Sequence, residues 1–107
     1  GMLPVGDAFL GRAVDGLGQP IDGGGPVRTL AEWPAGGKRT GALDRASVRE
    51  PFDTGIRAIN ALTTCGVGQR VGIMAGSGVG KSVLIDMIAH GAAADVVIVG
   101  LIGERAR

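Results

Sequence analysis

Aromatic residues are scarce in this sequence: tyrosine is absent, and Phe9, Trp33 and Phe52 are the only aromatic side chains. Proteins that bind single-stranded nucleic acid usually stack bases on aromatic side chains along a basic groove. The charge does not favour such a groove either, because eleven Lys and Arg residues balance ten Asp and Glu residues, for a net charge of +1. We therefore expect no nucleic-acid partner, and no aromatic residue stands out as one that stacks on a base.

The sequence has one cysteine and no long apolar run. Cys65 is the single cysteine, so no disulfide forms within the chain, and nothing near it has metal-ligand or redox spacing. A membrane-spanning helix needs about 20 predominantly apolar residues, and the start of the chain lacks a basic region followed by an apolar signal segment. We expect a protein of the cytoplasm that does not insert into a membrane.

The first 50 residues contain many turn signals. Phe9–Val14 has the composition of a short strand, and the run Gly23-Gly24-Gly25-Pro26 ends any regular element. Residues 34–50 mix Pro and Gly with basic side chains and have no periodicity, which is typical of a solvated connector. We predict an extended, turn-rich β segment over residues 1–50.

A short helix is predicted after Pro51. Thr54 is a typical N-cap residue, and Ile56, Ile59 and Leu62 recur at near-helical spacing. We expect this helix to lie against the core and to stop before Gly66.

Residues 71–102 have the pattern of a βαβ unit. Val71–Ala75 predicts a buried strand, Lys81–His90 an amphipathic helix with Gly91 as its C-cap, and Val96–Ile102 a strand covered on both faces. Because such crossovers are right-handed, both strands should end at the same edge of a parallel sheet. The predicted fold class is α/β.

A glycine-rich loop, Ala75–Ser82, joins the first of these strands to the helix. Its sequence, AGSGVGKS, matches the Walker A pattern GxxxxGK[ST] with alanine in place of the first glycine. Glycines let successive backbone N–H groups turn inward toward an anion, and the helix dipole adds positive potential at the same point. We expect Lys81 to bind the β- and γ-phosphates of a nucleotide, and the hydroxyl of Ser82 to ligate Mg²⁺.

The alternative to a phosphate-binding loop is a turn that only connects the strand to the helix, with Lys81 as a solvated charge. A lysine in the first helical turn opposes the helix dipole, however, and a bound polyphosphate would resolve that conflict. We therefore predict a phosphate-binding P-loop. The predicted binding residues are Gly76, Ser77, Gly78, Val79, Gly80, Lys81, Ser82 and Val83.

Glu104 and Arg105 follow the second predicted strand. The carboxyl end of a parallel strand lies beside the P-loop, so Glu104 would act there as a general base or position the attacking water, with Arg105 offsetting its charge. An exposed ion pair at a strand end accounts equally well for the two residues. Position alone leaves both interpretations open.

Several segments together resemble the hexameric ATPases of type III secretion and flagellar export, in the superfamily of the rotary ATP synthase alpha and beta subunits. These are Pro51–Asn60, Gly68–Arg70, the loop AGSGVGKS with its opening alanine, and Gly100–Arg105. Gly11–Gly23 is similar to the segment that follows the N-terminal barrel in both groups. The resemblance covers nearly the whole chain, with His90 where arginine is expected and Ala106 where glycine is expected.

The resemblance implies a partial RecA-like P-loop core, with ATP and Mg²⁺ as ligands and ATP or ADP bound during hydrolysis that energises protein export. It implies Glu104 as the residue that activates water, with Lys81 and Arg105 also catalytic. The parent would be a cytoplasmic homohexamer that contacts export-apparatus proteins at the inner membrane.

The resemblance also implies that this chain is a fragment. Residues 1–50 would be a connector after a barrel, and residues 51–107 the N-terminal portion of the ATP-binding core. The Walker B strand, the adenine-binding region and the arginine finger would lie outside it, so the isolated chain is expected to bind nucleotide phosphate at most.

Other functions remain open. A catalytic subunit of a rotary ATP synthase would share the mechanism, and the alanine-opened loop and Gly100-Leu101-Ile102 favour the export ATPases over it. A non-hydrolysing, phosphate-binding structural module fits the P-loop as well. An RNA-translocating hexamer of related fold is disfavoured, because no basic stripe or aromatic platform occurs.

Overall fold

The computed structural model describes residues 1–103, and the chain divides into two units between Arg45 and Ala46. The first unit has two strands, β1 (Met2–Val5) and β2 (Ala31–Pro34), with 3₁₀ turns at Asp7–Phe9 and Ala42–Asp44. The second has strands β3 (Pro51–Phe52) and β4 (Cys65–Gly66) and helices α1 (Arg57–Leu62) and α2 (Lys81–Gly91). None of the helices in residues 1–103 is long and apolar enough to cross a membrane.

Strands β1 and β2 pair antiparallel, with Met2 opposite Pro34 and Val5 opposite Ala31. The strand predicted at Phe9–Val14 is wrong. Phe9 ends a 3₁₀ turn, and Gly11 adopts a φ of 70°, a left-handed conformation that interrupts an extended backbone. Val14 alone makes a β-bridge, with Pro20.

An ion pair fixes the loop that follows. Arg12 Nε donates to Asp22 Oδ2 at 2.7 Å, and Arg12 Nη2 donates to Asp22 Oδ1 at 3.1 Å. The Asp22 carboxylate also accepts from the N–H groups of Gly24 and Ala13. These hydrogen bonds, that of Arg12 above all, hold the pKa of Asp22 far below its usual range.

Acid should weaken the first unit through Asp22. Because folding lowers the pKa of this carboxyl, its contribution to stability is complete above the unfolded pKa of about 3.9 and is lost as pH falls below that value. We expect Asp22→Asn to flatten the fall in the urea midpoint between about pH 6 and about pH 2.5. Asp7→Asn is the control, since the Asp7 carboxylate makes no hydrogen bond among the described residues. If the urea midpoint of Asp22→Asn depends on pH as that of the wild type does, Asp22 is not the carboxyl through which acid weakens the first unit.

The second unit begins with a small antiparallel pair around α1. Pro51 lies opposite Gly66 and Phe52 opposite Cys65, and Val67 N–H donates to the Glu50 carbonyl at 2.8 Å. The polar residues 34–50 that lead into it are all exposed, as predicted.

Helix α1 forms where it was predicted, but its details differ. Ile56 occupies the N-cap position. Thr54 lies two residues before it, and its Oγ1 accepts a hydrogen bond from the Ile56 N–H at 3.3 Å. Thr54 as the N-cap is therefore wrong, because the chain is still extended at Ile56. Leu62 is 82% exposed, so it takes no part in a buried face within the described chain.

Helix α2 confirms the predicted helix at Lys81–His90. It runs one residue further, and its C-cap is Ala92, whose N–H donates to the Ile88 carbonyl at 2.9 Å. The predicted C-cap at Gly91 is wrong, since Gly91 lies in the last turn of α2, where it packs against the backbone at Gly55.

The two buried parallel strands predicted at 71–75 and 96–102 are absent from the described residues. Both segments lack strand assignment, and no backbone hydrogen bond joins one to the other within residues 1–103. Their side chains are open, with Met74 93% and Ile98 91% exposed. An apolar run becomes a buried strand only when neighbours supply hydrogen bonds and cover its faces, and the described residues do neither. The β structure here consists of short antiparallel pairs.

Candidate phosphate-binding site

The P-loop, Ala75–Ser82, turns directly into helix α2. Gly78 and Gly80 adopt φ values of 76° and 93°, and Gly80 is the N-cap of the helix. Left-handed backbone of this kind costs an L-residue roughly 1–2 kcal/mol. The loop therefore needs glycine at both positions to keep its path.

The backbone N–H groups of the loop have no hydrogen-bond partners among the residues that the structure describes. Among residues 1–103, no acceptor receives a hydrogen bond from any N–H between residues 76 and 83. The hydrogen bonding of α2 begins with Leu84 N–H, which donates to the Gly80 carbonyl at 2.9 Å. Orphan donors at the start of a helix, reinforced by its dipole, make an anion-binding site.

Charged side chains near the loop add to this positive potential. The first turn of α2 contains no acidic residue, and Lys81, at its start, is partly buried. Within the described chain Lys81 forms no salt bridge; the one acidic residue on α2, Asp86, lies 3.3 Å from His90. A polyanion at the loop would thus meet positive charge from the backbone, the dipole and Lys81 together.

The space around the loop suits phosphate and Mg²⁺. A Cβ added at Gly76, Gly78 or Gly80 would meet no atom within 4 Å, so the backbone there is open to a ligand. Ser82 is exposed next to Lys81. The described residues contain no group of three His, Cys, Asp or Glu side chains able to hold a metal. Mg²⁺ is often held largely by substrate phosphates and water, with few protein ligands, and the Ser82 hydroxyl fits that role.

A shallow depression of about 450 Å³ lies on the apolar side of the loop and helix. Its lining is mostly aliphatic: Ile73, Ala75, Val79, Val83, Leu84 and Met87, with Gly80 and Lys81 at its edge. Such a surface suits packing rather than phosphate binding. The side chains of Val79 and Val83 belong to it, so any contact of these residues with phosphate would be through their backbone.

Comparison with known proteins finds a family model that matches the second part of this chain. Residues 55–107 match the family model of the ATP synthase alpha/beta family, nucleotide-binding domain. The recognition made from the sequence is therefore confirmed, and the P-loop described above lies within the matched nucleotide-binding domain.

The curated relatives are named flagellum-specific ATP synthases and type 3 secretion system ATPases. The chain is 50% identical to the flagellum-specific ATP synthase of Pseudomonas aeruginosa, over 100% of this chain and 24% of the relative. It is 50% identical to the type 3 secretion system ATPase of Sinorhizobium fredii and 52% identical to the flagellum-specific ATP synthase of Salmonella typhimurium, over 98% of this chain and 23% of each relative. The chain thus spans about a quarter of the length of these relatives.

Solved structures agree with the sequence relatives. The assembled ATPase EscN from the enteropathogenic E. coli type III secretion system superposes with a TM-score of 0.84 at 45% identity, covering 97% of this chain and 26% of that one. A prototypical ATPase from the type III secretion system of pathogenic bacteria gives a TM-score of 0.88 at 45% identity, covering 98% and 30%. The chain has the fold of the corresponding part of these ATPases.

The predicted phosphate-binding residues all lie in one loop and in the first turn of α2. Gly76 to Val83 are contiguous, with their N–H groups unpaired in the described chain. Glu104 and Arg105 lie outside the described residues, so their place beside the loop stays a prediction.

Sequence reasoning missed a polar cluster at the other end of α2. Asn60 Oδ1 accepts from Thr54 N at 3.0 Å and from Thr54 Oγ1 at 2.8 Å, and Asn60 Nδ2 donates to Asp53 Oδ1 at 2.6 Å. Gly55 N–H donates to the same Asp53 oxygen at 2.8 Å. These bonds, that of Gly55 first, lower the pKa of Asp53. The available signal was an Asp-Thr-Gly turn followed by asparagine in the next helix.

Proposed function

We propose that this chain supplies the phosphate-binding part of an ATP hydrolase that energises type III or flagellar protein export. The observation that carries the proposal is the run of N–H groups from residue 76 to residue 83 that have no partner among residues 1–103, at the N-terminus of α2 and beside Lys81. The family match and the names of the relatives support the rest.

The loop would act mainly by holding charge in place. Its N–H groups bind the phosphate oxygens, and the Lys81 ammonium binds the β- and γ-phosphates, where negative charge must be stabilised during phosphoryl transfer. Ser82 would hold Mg²⁺, which supplies further positive charge when bound. In the proposed reaction Glu104 takes the proton of the attacking water, and Arg105 offsets the charge of that carboxylate.

The relatives favour an export ATPase over a rotary ATP synthase subunit. They are named flagellum-specific ATP synthases and type 3 secretion system ATPases, at 50% and 52% identity. By the same relationship we propose a homohexameric parent that works in the cytoplasm at the inner-membrane export apparatus. The 107 residues alone should bind without turnover, since P-loop hydrolysis also needs a metal-positioning acid and an arginine finger.

Calorimetric titration of the purified chain with Mg-ATP, followed by a phosphate-release assay on the same samples, tests this proposal. We expect saturable binding and no release of phosphate. Absence of binding would count against a working P-loop in this chain, whereas steady turnover would overturn the binding-only assignment of the 107 residues.

Glu104 has its own test in the intact native protein. Glu104→Gln removes the proposed proton acceptor but keeps the size of the side chain, so Mg-ATP affinity should be retained while phosphate release falls by about 100-fold or more. Asp95→Asn is the control, an acidic residue at the other end of the 96–102 segment. Unchanged turnover in Glu104→Gln would point to the exposed ion pair instead.

A further inference from the structure

Within residues 1–103, one hydrogen bond joins the segment that contains the P-loop and α2 to the preceding residues. Of the hydrogen bonds among residues 1–103, the one that joins residues 70–103 to the earlier chain runs from Ala93 N–H to the Asp53 carbonyl, at 2.9 Å. Ala93 comes directly after the C-cap of α2. The far end of the P-loop helix is therefore held by the segment around Asp53.

The backbone contact beside that hydrogen bond is close. A Cβ built on Gly55 would lie 2.8 Å from the Gly91 Cα and nearer still to the Gly91 carbonyl. The last turn of α2 thus rests directly on the backbone at Gly55. A side chain at Gly55 would hold the two segments apart, whereas a Cβ at Gly91 would make an ordinary contact.

Hydrogen bonds fix the conformation of the segment that contacts the C-terminal end of α2. Side-chain and backbone bonds among Asp53, Thr54, Gly55 and Asn60 close a ring between the turn and helix α1. Thr54 is the one residue in the described chain with less than a tenth of its surface exposed, at 3%. Its hydroxyl both donates to Asn60 and accepts from Ile56, so its conformation has little freedom.

We infer that Asp53, Thr54, Gly55 and Asn60 form a helix anchor, a set of positioning residues that fixes α2 and thereby the direction in which the P-loop N–H groups point. The eleven residues of α2 span about 16 Å at 1.5 Å per residue. A helix is stiff over that length, so a tilt at its C-terminal end displaces the loop at its N-terminal end. This inference rests on the proposed function for the identity of the ligand.

Thr54→Val and Thr54→Ser form a matched pair for the test. Valine keeps the shape of threonine but removes both hydrogen bonds of the hydroxyl, whereas serine keeps the hydroxyl. We expect Thr54→Val to weaken Mg-ATP binding by about tenfold, the worth of a lost hydrogen bond, and Thr54→Ser to stay close to wild type. Calorimetry should be run well below the unfolding midpoint of each variant, so that all samples are folded.

A second readout needs no nucleotide. Thr54→Val should shift the backbone amide NMR signals of residues 76–83, which lie at the opposite end of α2, and Thr54→Ser should not. A lower unfolding midpoint with unchanged affinity and unchanged loop signals would overturn the inference, because the anchor would then be structural only. If the wild type does not bind Mg-ATP, the proposed function is wrong, but the NMR comparison still tests the helix anchor.

Ala93→Pro guards against a Thr54 variant that does not fold. Proline removes the N–H that joins α2 to Asp53 and leaves the ring of the anchor untouched, while Ala93→Gly keeps the N–H as its control. We expect the proline variant alone to shift the signals of residues 76–83 and to weaken Mg-ATP binding. Equal behaviour of the two Ala93 variants would contradict the anchor.

Discussion

Lys81→Ala should weaken Mg-ATP binding by about 100-fold or more while leaving the folded chain as stable as before or slightly more so. Two charge-assisted hydrogen bonds to the phosphates, at about 1.5–3 kcal/mol each, would be lost. In the free protein, however, Lys81 stands at the positive end of α2, where a cation is unfavourable by about 0.3–1 kcal/mol. Alanine is also the best helix former. Binding and stability should therefore change in opposite directions.

The chain offers a matched control for this substitution. Lys38 is its other lysine, and it is exposed in the first unit. Lys38→Ala should leave affinity unchanged in calorimetry, and the urea midpoints of the three proteins report stability. Equal affinity in Lys81→Ala and wild type would mean that the lysine is only a solvated charge. A large drop in stability would mean that it supports the fold.

The P-loop and α2 were predictable because their information is local. The glycines in Ala75–Ser82 predict a turn with positive φ angles, and Gly78 and Gly80 adopt such angles. The apolar stripe of α2 likewise repeats at helical spacing within a few residues. One boundary was off, because glycine commonly follows the last residue of a helix, whereas here Gly91 is still helical and Ala92 is the C-cap.

The predicted strands failed for the opposite reason. Residues 71–75 and 96–102 have strong β composition, yet a strand requires a partner backbone, and the described residues offer none to either segment. Local pattern can say that a segment would suit a buried strand but not what covers it. The exposed side chains of Val71 and Ile102, at 57% and 94%, are the direct consequence.

The helix anchor was missed because its local signal, an Asp-Thr-Gly turn followed by asparagine, does not show that α2 packs there. Asp53 and Thr54 read as ordinary turn and capping residues, and Asn60 as a polar position on a short helix. Their importance lies in one long-range contact, from Ala93 N–H to the Asp53 carbonyl. Together the anchor and the P-loop define the two ends of α2, so the helix connects a polar ring at one end with an anion site at the other.

Gly55→Ala should be among the most destabilising single changes in the second unit. Gly55 has a φ of 74°, and a Cβ there would meet the Gly91 carbonyl and Cα closer than any real side chain does. Left-handed strain of roughly 1–2 kcal/mol and overpacking of roughly 1–3 kcal/mol act together, so we expect a loss of about 3 kcal/mol. Urea unfolding followed by circular dichroism measures it.

Two further glycines separate the causes of that loss. Gly68 has a φ of 82° but nothing within 4 Å of its Cβ position, so Gly68→Ala should cost only the backbone strain, about 1–2 kcal/mol. Gly91 lies in α2, and its added Cβ would sit 3.5 Å from Gly55 Cα, an ordinary contact. Gly91→Ala should therefore be neutral or stabilise by up to about 1 kcal/mol. If Gly55→Ala lowers the free energy of unfolding no more than Gly68→Ala does, the backbones at Gly55 and Gly91 are not in close contact. The helix anchor would then not position α2 or the P-loop.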